Sequence, residues 1–495
     1  MIPKAVSSKT TIRWVEVVCI LIVFLVLQWR YIFLDLWNDE LYTLEYFVFV
    51  PKLTTITDYH VPNNHVFANL VFGAWTQAQG IHSVHDIIAM PWNLRLLLLV
   101  FAAGKVMLIY FAAERVQRHA GLFAALTLIF TVPFVTYSLQ VRGYGLSMFL
   151  IATLIWLAVQ GNSRWVFIAM VVCAALLAYT IPSNYYVLVS FIGGLVGCFV
   201  LDRRRQWLWK AVAAAGGLVL SLALYLPILH EILAHQELSN PSYFKGVALD
   251  SLTPVVLASM IGLRAVLAGF ILVGLVLLMR QFRVRREVVI PLIIAASTAL
   301  LPFVLSYIRW NDPPYRVLIV IAPALSVAAG LAAVTFISHK PVLQRFWFIV
   351  VILLAAEGAY SVWQTHRYSK ADCLRGIQSN YRPQDLVTSY FQHFYEPMRS
   401  VTAFAANQEK TLVLIHRCEP HDIRHYLDYH GIPHVNMDQV DSLLETGQSF
   451  HAVSSHPWLF MQELSWRQPE AQVKRLSDKI SYHNFLRMVP DSIAP

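Results

Sequence analysis

The sequence predicts an all-α polytopic membrane bundle of about eleven transmembrane helices, carrying a small α/β domain at its C-terminal end. Three observations predict it. Hydrophobic residues make up 57% of the 495 positions and charged residues only 14%, where a soluble chain carries roughly a quarter charged. The apolar residues come in blocks of roughly 17–23, long enough to cross a ~30 Å hydrocarbon core as helices, and the blocks stop after Trp363. They also lack the apolar-polar alternation of barrel strands, so helices are the structure that satisfies their backbone groups in lipid.

In chain order the spans are expected at 15–34, 95–113, 120–138, 144–160, 164–181, 185–201, 208–229, 263–280, 287–307, 316–336 and 345–363. The first follows Lys4, Lys9 and Arg13 and runs on without a small-residue cleavage site, which makes it an uncleaved anchor rather than a signal peptide. Placing the N-terminus in the cytoplasm makes internal the short loops that hold Arg115, Arg118, Arg164, Arg203, Arg204, Arg205, Lys210, Arg280, Arg283, Arg285, Arg286, Lys340 and Arg345. This is the positive-inside pattern, and it accounts for the formal charge of +9 without a nucleic-acid partner. The external set then contains two long loops, 35–94 and 230–262, and everything after the last span. In the first loop, Val66 to Gln79 reads as an amphipathic helix lying along the interface.

The domains expected are therefore 1–364, a membrane domain, and 365–495, a soluble external one. In the latter, 411–415 reads as a strand, 420–430 as a helix ended by Gly431, and the following residues as a second strand. Cys19, Cys173 and Cys198 fall in spans as packing residues. Cys373 and Cys418 fall outside, where an oxidising compartment permits a disulfide but two cysteines do not fix one. Ten of the 18 histidines lie at or beyond His366. Among them His421 and His425 have the i, i+4 spacing of helical metal ligands, although spacing supplies no third ligand and a solvated histidine-rich face explains them as well.

Four external segments carry side chains suited to chemistry. In LDLWNDELYTLEYF, Asp39 and Glu40 are adjacent carboxylates at the end of the first span, flanked by Trp37, Tyr42 and Tyr46; apolar surroundings raise a carboxylate's basicity, while acids also simply end spans in water. In DYHVPNNHVFANLVFGAW, Asn63, Asn64 and His65 stand at the start of the amphipathic helix, where an amide also serves as a cap. In YSLQVRGYGLS, Arg142 sits at an external turn beside Tyr137 and Tyr144; it suits a phosphate through its bidentate fork or a lipid headgroup by snorkelling. In SYIRWNDPPYRVLIV, Arg309 and Arg316 flank a Pro-Pro turn, and Arg95 opens the second span. Four external arginines together suit an anionic headgroup. Lys105 lies mid-span, and an intramembrane charge marks a functional site by default; Glu357 or a polar cavity could receive it.

The order of these segments resembles the GT-C membrane glycosyltransferases, specifically the protein mannosyltransferase and aminoarabinose transferase-like group. WNDELYTLEYF looks like that family's external Asp-Glu motif. VPNNHVFANLVFGAW is similar to its interfacial helix, WNLRLLLLVFAAGKVMLIYFAAERV to its second span, and GLFAALTLIFTVPFVTYSLQVRGYGLSMFL to the next hairpin with its tip arginine. The resemblance is good over 15–200 and extends beyond only in layout. Two departures stand out. Val66 occupies the place of a proline, and Tyr144 stands where some members carry a second acid.

What the resemblance implies is an inverting transfer of a sugar from a polyprenyl-phosphate donor to an acceptor hydroxyl, on a glycan or protein at the outer face of a bacterial inner membrane. Asp39 is then the general base and Glu40 a catalytic partner. Arg95, Arg142, Arg309 and Arg316 bind donor phosphate, and Asn64, His65, Tyr144 and Lys105 contact substrate. A divalent metal ion is an optional cofactor in that scheme. The internal loops are too short for a nucleotide-sugar domain, which agrees with a lipid-linked donor. A transporter or flippase of lipid-linked or small solutes, a lipid-linked glycan polymerase or ligase, and an inactive homologue are the competing readings.

Overall fold

The computed structural model describes residues 14–61, 63–238, 286–308, 318–367, 412–415, 423–445, 450–454, 472–475 and 484–489, with isolated positions between 269 and 280. Arg309, Arg316, Cys373, Cys418 and His421 lie outside the described residues, as does nearly all of the span expected at 263–280. The chain divides into two compact units. One comprises Met1–Ile32, Leu53–Val71 and Arg95–Gln364; the other comprises Phe33–Lys52, Phe72–Leu94 and Thr365–Pro495.

The first unit is helical. The segments Trp92–Val116, Asn184–Asp202, Arg205–Ala234, Arg286–Leu305 and Ile319–His339 are each long and apolar enough to cross a membrane. Shorter apolar helices cover Trp14–Trp29, Ala120–Ile129, Gly143–Ala158, Arg164–Thr180 and Trp347–Trp363. Their outward faces carry Val15, Val26, Trp29, Val100, Val172, Val219 and Ile352, all exposed, a surface that lipid solvates and water does not. Inside, buried hydroxyls return to their own helices: Thr298 to the Ile294 carbonyl at 2.7 Å, Ser326 to Ala322 at 2.8 Å and Thr335 to Leu331 at 2.8 Å. No polar group is thereby left facing hydrocarbon at these positions.

One span differs from its sequence reading. The stretch read as continuous over 120–138 is two helices, Ala120–Ile129 and Val132–Tyr137. Pro133 stands in the first turn of the second. It has no N–H to give to the preceding turn, so the helix stops and restarts. The Thr131 hydroxyl takes up the Leu128 carbonyl at 2.9 Å.

The loop segment Leu53–Val71 is tied to the helical ends by a buried aromatic cluster of Tyr59, Val66, Tyr179, Tyr225, Ile228 and Ile232. The Glu231 carboxylate accepts the Tyr59 backbone N–H. This packing is what fixes the place of Asn63–His65.

The second unit contains a five-stranded mixed sheet of order β2-β1-β3-β5-β4. Its strands are β1 Val413–Ile415, β2 His434–Asn436, β3 Phe450–Ser454, β4 Gln472–Arg475 and β5 Asn484–Val489. β1 pairs in parallel with β2 and β3, whereas β3-β5 and β5-β4 are antiparallel. The central β1 is buried along its whole length, as an unbroken Val-Leu-Ile run requires. The helix Ile423–Tyr429 connects β1 to β2. It ends at Gly431, whose φ of 63° is the left-handed conformation glycine adopts without strain. Packed with this sheet unit are the short helix Asn38–Thr43, a π-helical turn Leu44–Val48 and the helix Val84–Ala89, whose N-cap Ser83 accepts the Asp86 N–H at 3.2 Å.

Candidate active site

In the first unit the structure gathers the loop before helix Val66–Ala78 and the turn before helix Gly143–Ala158. The Gly143 N–H donates to His65 Nδ1 at 2.8 Å. Nδ1 therefore carries no proton, and in neutral His65 the hydrogen sits on Nε2. Gly143 has to be glycine for this approach: a Cβ there would lie 2.9 Å from Thr180 Cγ2 and 3.0 Å from His65 Cβ. The Arg142 guanidinium donates to Asn63 Oδ1 and lies 5.3 Å from the centre of the Tyr144 ring. That ring in turn meets His65 edge-on at 5.2 Å and Tyr137 at 5.3 Å. His65, Arg142 and Tyr144 are each at most 3% exposed. An arginine held on an amide oxygen and an aromatic face is cationic in a low-dielectric setting, which strengthens its attraction for an anion.

Tyr144 stands where the family resemblance led us to look for a second acid, and the structure gives it a definite place as the plate beneath Arg142 and His65. Asn63 and Asn64 separate in function. Asn64 donates to the Thr55 and Asp58 carbonyls at 2.8 and 2.7 Å and accepts from Asn69 at 2.9 Å, so its amide builds the loop. Asn63, and not the Asn64 expected from the sequence to contact substrate, is the one that meets the arginine. Arg95 is 1% exposed. Lys105 is fully buried, donates to Ser138 Oγ at 2.8 Å and lies 4.7 Å from the centre of the Phe134 ring. Its partner is thus the hydroxyl placed by the broken third span, and not Glu357.

The second unit holds the carboxylates. Asp39 and Glu40 lie in the first turn of helix Asn38–Thr43, where the helix dipole favours negative charge. Glu40 is fully buried and its Oε2 accepts the Trp37 N–H at 3.0 Å, the back-bond of a capping carboxylate. Asp39 is partly exposed, and its backbone carbonyl accepts the Thr43 hydroxyl at 2.7 Å. Of the acid pair, Glu40 is buried and Asp39 is placed nearer solvent.

A third acid matters here. Arg424 Nη2 donates to both oxygens of Glu45, at 3.0 and 2.9 Å, and His425 Nε2 lies 3.0 Å from Oε2. Burial disfavours the Arg424 charge, but bonds from Tyr46 and Glu45 outweigh it and hold its pKa above the ordinary value. His425 is thus engaged with a carboxylate and does not belong to a solvated histidine face. Among the described residues no three His, Cys, Asp or Glu side chains gather as a metal-ion cluster.

No protein-family model matches the chain, and no curated protein matches it by sequence. Solved structures do match. ArnT from Cupriavidus metallidurans in the apo state superposes with a TM-score of 0.55 at 14% identity, covering 97% of this chain and 98% of that one. The same protein bound to undecaprenyl phosphate gives 0.53 at 13% identity, covering 97% and 99%. At these identities the likeness is one of fold: the chain has the GT-C-like membrane glycosyltransferase fold along nearly its full length.

Proposed function

We propose that the protein is a multi-pass membrane glycosyltransferase that moves a sugar from a polyprenyl-phosphate carrier to an acceptor hydroxyl on the outer face of a bacterial inner membrane. The observation that carries the reading is the buried Arg142-Asn63-Tyr144-His65 constellation in a fold shared with a protein solved with undecaprenyl phosphate. A lipid-linked donor keeps its phosphate at headgroup depth, so its ligands belong at the outer ends of spans, where the sequence topology puts these residues. Eleven spans, a cytoplasmic N-terminus and an external C-terminal α/β domain are parts of the same proposal.

In the reaction the acceptor oxygen attacks the anomeric carbon from the face opposite the phosphate, and the configuration inverts. The bond between that carbon and the phosphate oxygen breaks, and its electron pair leaves with the polyprenyl phosphate. Asp39 takes the acceptor proton. The leaving phosphate needs positive charge more than a proton, and the Arg142 guanidinium supplies it, with His65 beside it as a substrate contact. Arg95, Arg309 and Arg316 are further proposed donor-phosphate ligands, and Asn64, Tyr144 and Lys105 are proposed substrate contacts. Glu40 serves by shaping the helix that carries Asp39. No step is routed through a metal.

The test is transfer in proteoliposomes with radiolabelled polyprenyl-phosphate sugars, comparing wild type with Asp39→Asn and Arg142→Lys. The expected result is product with wild type and little with either variant. Solute flux across the vesicle with no transfer product would instead make the chain a transporter. A reporter fused after Pro495 is expected to read external.

A further inference from the structure

Three consecutive residues of one short helix in the soluble unit reach the segment that carries Asp39. The Leu36 N–H, two residues before that helix begins and fully buried, donates to the Tyr426 hydroxyl at 2.7 Å. At the other end of the segment, Arg424 and His425 converge on Glu45 in the π-helical turn Leu44–Val48. Between these two anchors lie Trp37, whose N–H goes to Glu40, and Asp39, whose carbonyl holds Thr43. Tyr426 is 1% exposed, so its hydroxyl is itself fixed by packing. A π-turn has looser internal bonding than an α-turn and persists where outside contacts hold it.

We propose that Arg424, His425 and Tyr426 are positioning residues: they clamp Leu36–Val48 at both ends and thereby set where the Asp39 carboxylate points. The proposal rests on the reading of Asp39 as the base. It gives the C-terminal domain a task in the reaction without any contact to substrate. A base held about 1 Å out of place loses on the order of 100-fold in rate, whereas substrate affinity depends on other groups.

Two measurements on the full chain in lipid nanodiscs test it. Tyr426→Phe keeps the ring and removes the hydroxyl alone; Arg424→Gln removes the charge that faces Glu45, and Arg424→Lys restores it. Hydrogen exchange read by mass spectrometry is expected to speed up by about tenfold or more at residues 36–48 in Tyr426→Phe and Arg424→Gln, with peptides of the membrane helices unchanged. Transfer assays are expected to show kcat lowered by about 10- to 100-fold with KM for the lipid donor unchanged, and partial recovery in Arg424→Lys. Unchanged exchange in both variants overturns the clamp. Faster exchange with wild-type kcat overturns the positioning role and leaves a structural tie. A wild-type chain that transfers from no polyprenyl-phosphate sugar sinks the reading of the function, and the positioning role with it; exchange still decides the clamp separately.

Discussion

The bond from Gly143 N–H to His65 Nδ1 at 2.8 Å allows the two nitrogens of one ring to be tested apart. Asparagine places its Oδ1 close to where a histidine Nδ1 sits and has nothing at the Nε2 position. In His65→Asn the Gly143 N–H therefore keeps an acceptor, while the edge-on contact with Tyr144 at 5.2 Å, worth ~0.5–1.5 kcal/mol, is lost. In His65→Ala the same contact goes and a buried backbone N–H is also left unpaired, at a further ~1–3 kcal/mol. The alanine variant is thus expected to be less stable than the asparagine variant by ~1–3 kcal/mol, read by denaturant unfolding in detergent. Both lack the imidazole proposed as a substrate contact, so both are expected to lose at least tenfold in transfer, including the well-folded asparagine variant. If His65→Asn is as unstable as His65→Ala, the assignment of Nδ1 as acceptor is wrong. If it is stable and fully active, Nε2 plays no part in the chemistry.

Asp39→Asn is expected to lose about 100- to 10,000-fold in kcat with little change in stability, since the side chain is only partly buried; transfer and unfolding on the same preparation check it. Arg142→Lys keeps the charge and loses the fork, so donor KM is expected to rise about tenfold or more, in line with ~1.5–3 kcal/mol for a charge-assisted bond. Glu40→Gln keeps an oxygen for the Trp37 N–H and is expected to remain within ~1 kcal/mol of wild type, whereas Glu40→Ala costs ~2–3 kcal/mol; Glu40→Gln with full stability but no transfer would return Glu40 to the chemistry. Gly143→Ala forces a Cβ against Thr180 and His65, at ~1–3 kcal/mol, and is expected to lower activity together with thermal stability.

Several features of the fold were legible in the sequence because they depend on local composition. A run such as 92–116 has one low-energy form in lipid, and its period needs no partner to be read. Gly431 after a helical stretch marks its end because the left-handed conformation is a property of that residue alone. The break in the third span is not legible in hydropathy, which sums over Pro133 without registering its lost N–H. The proposed site is legible only as a set of residue types: Asp39, His65 and Arg142 are unusual where they stand. Their partners are not. Asn63 and Asn64 are chemically identical neighbours, and only the path of the loop sends one amide to Arg142 and the other to the Thr55 and Asp58 carbonyls. Lys105 finds Ser138 because of the helix break. Glu45 drew no notice as a third acid, since its ligands lie 379 and 380 positions away.

The sequence by itself determined that the chain is a helical membrane protein and which residue types stand at the ends of its spans, because hydrophobic length acts one segment at a time. Tertiary structure decided what each polar group does. It made Glu40 a cap, Asn64 a loop brace and Tyr144 the plate under Arg142, and it tied Leu36 to Tyr426. A buried donor or acceptor must find its partner wherever the folded chain brings one, and sequence distance carries no record of that.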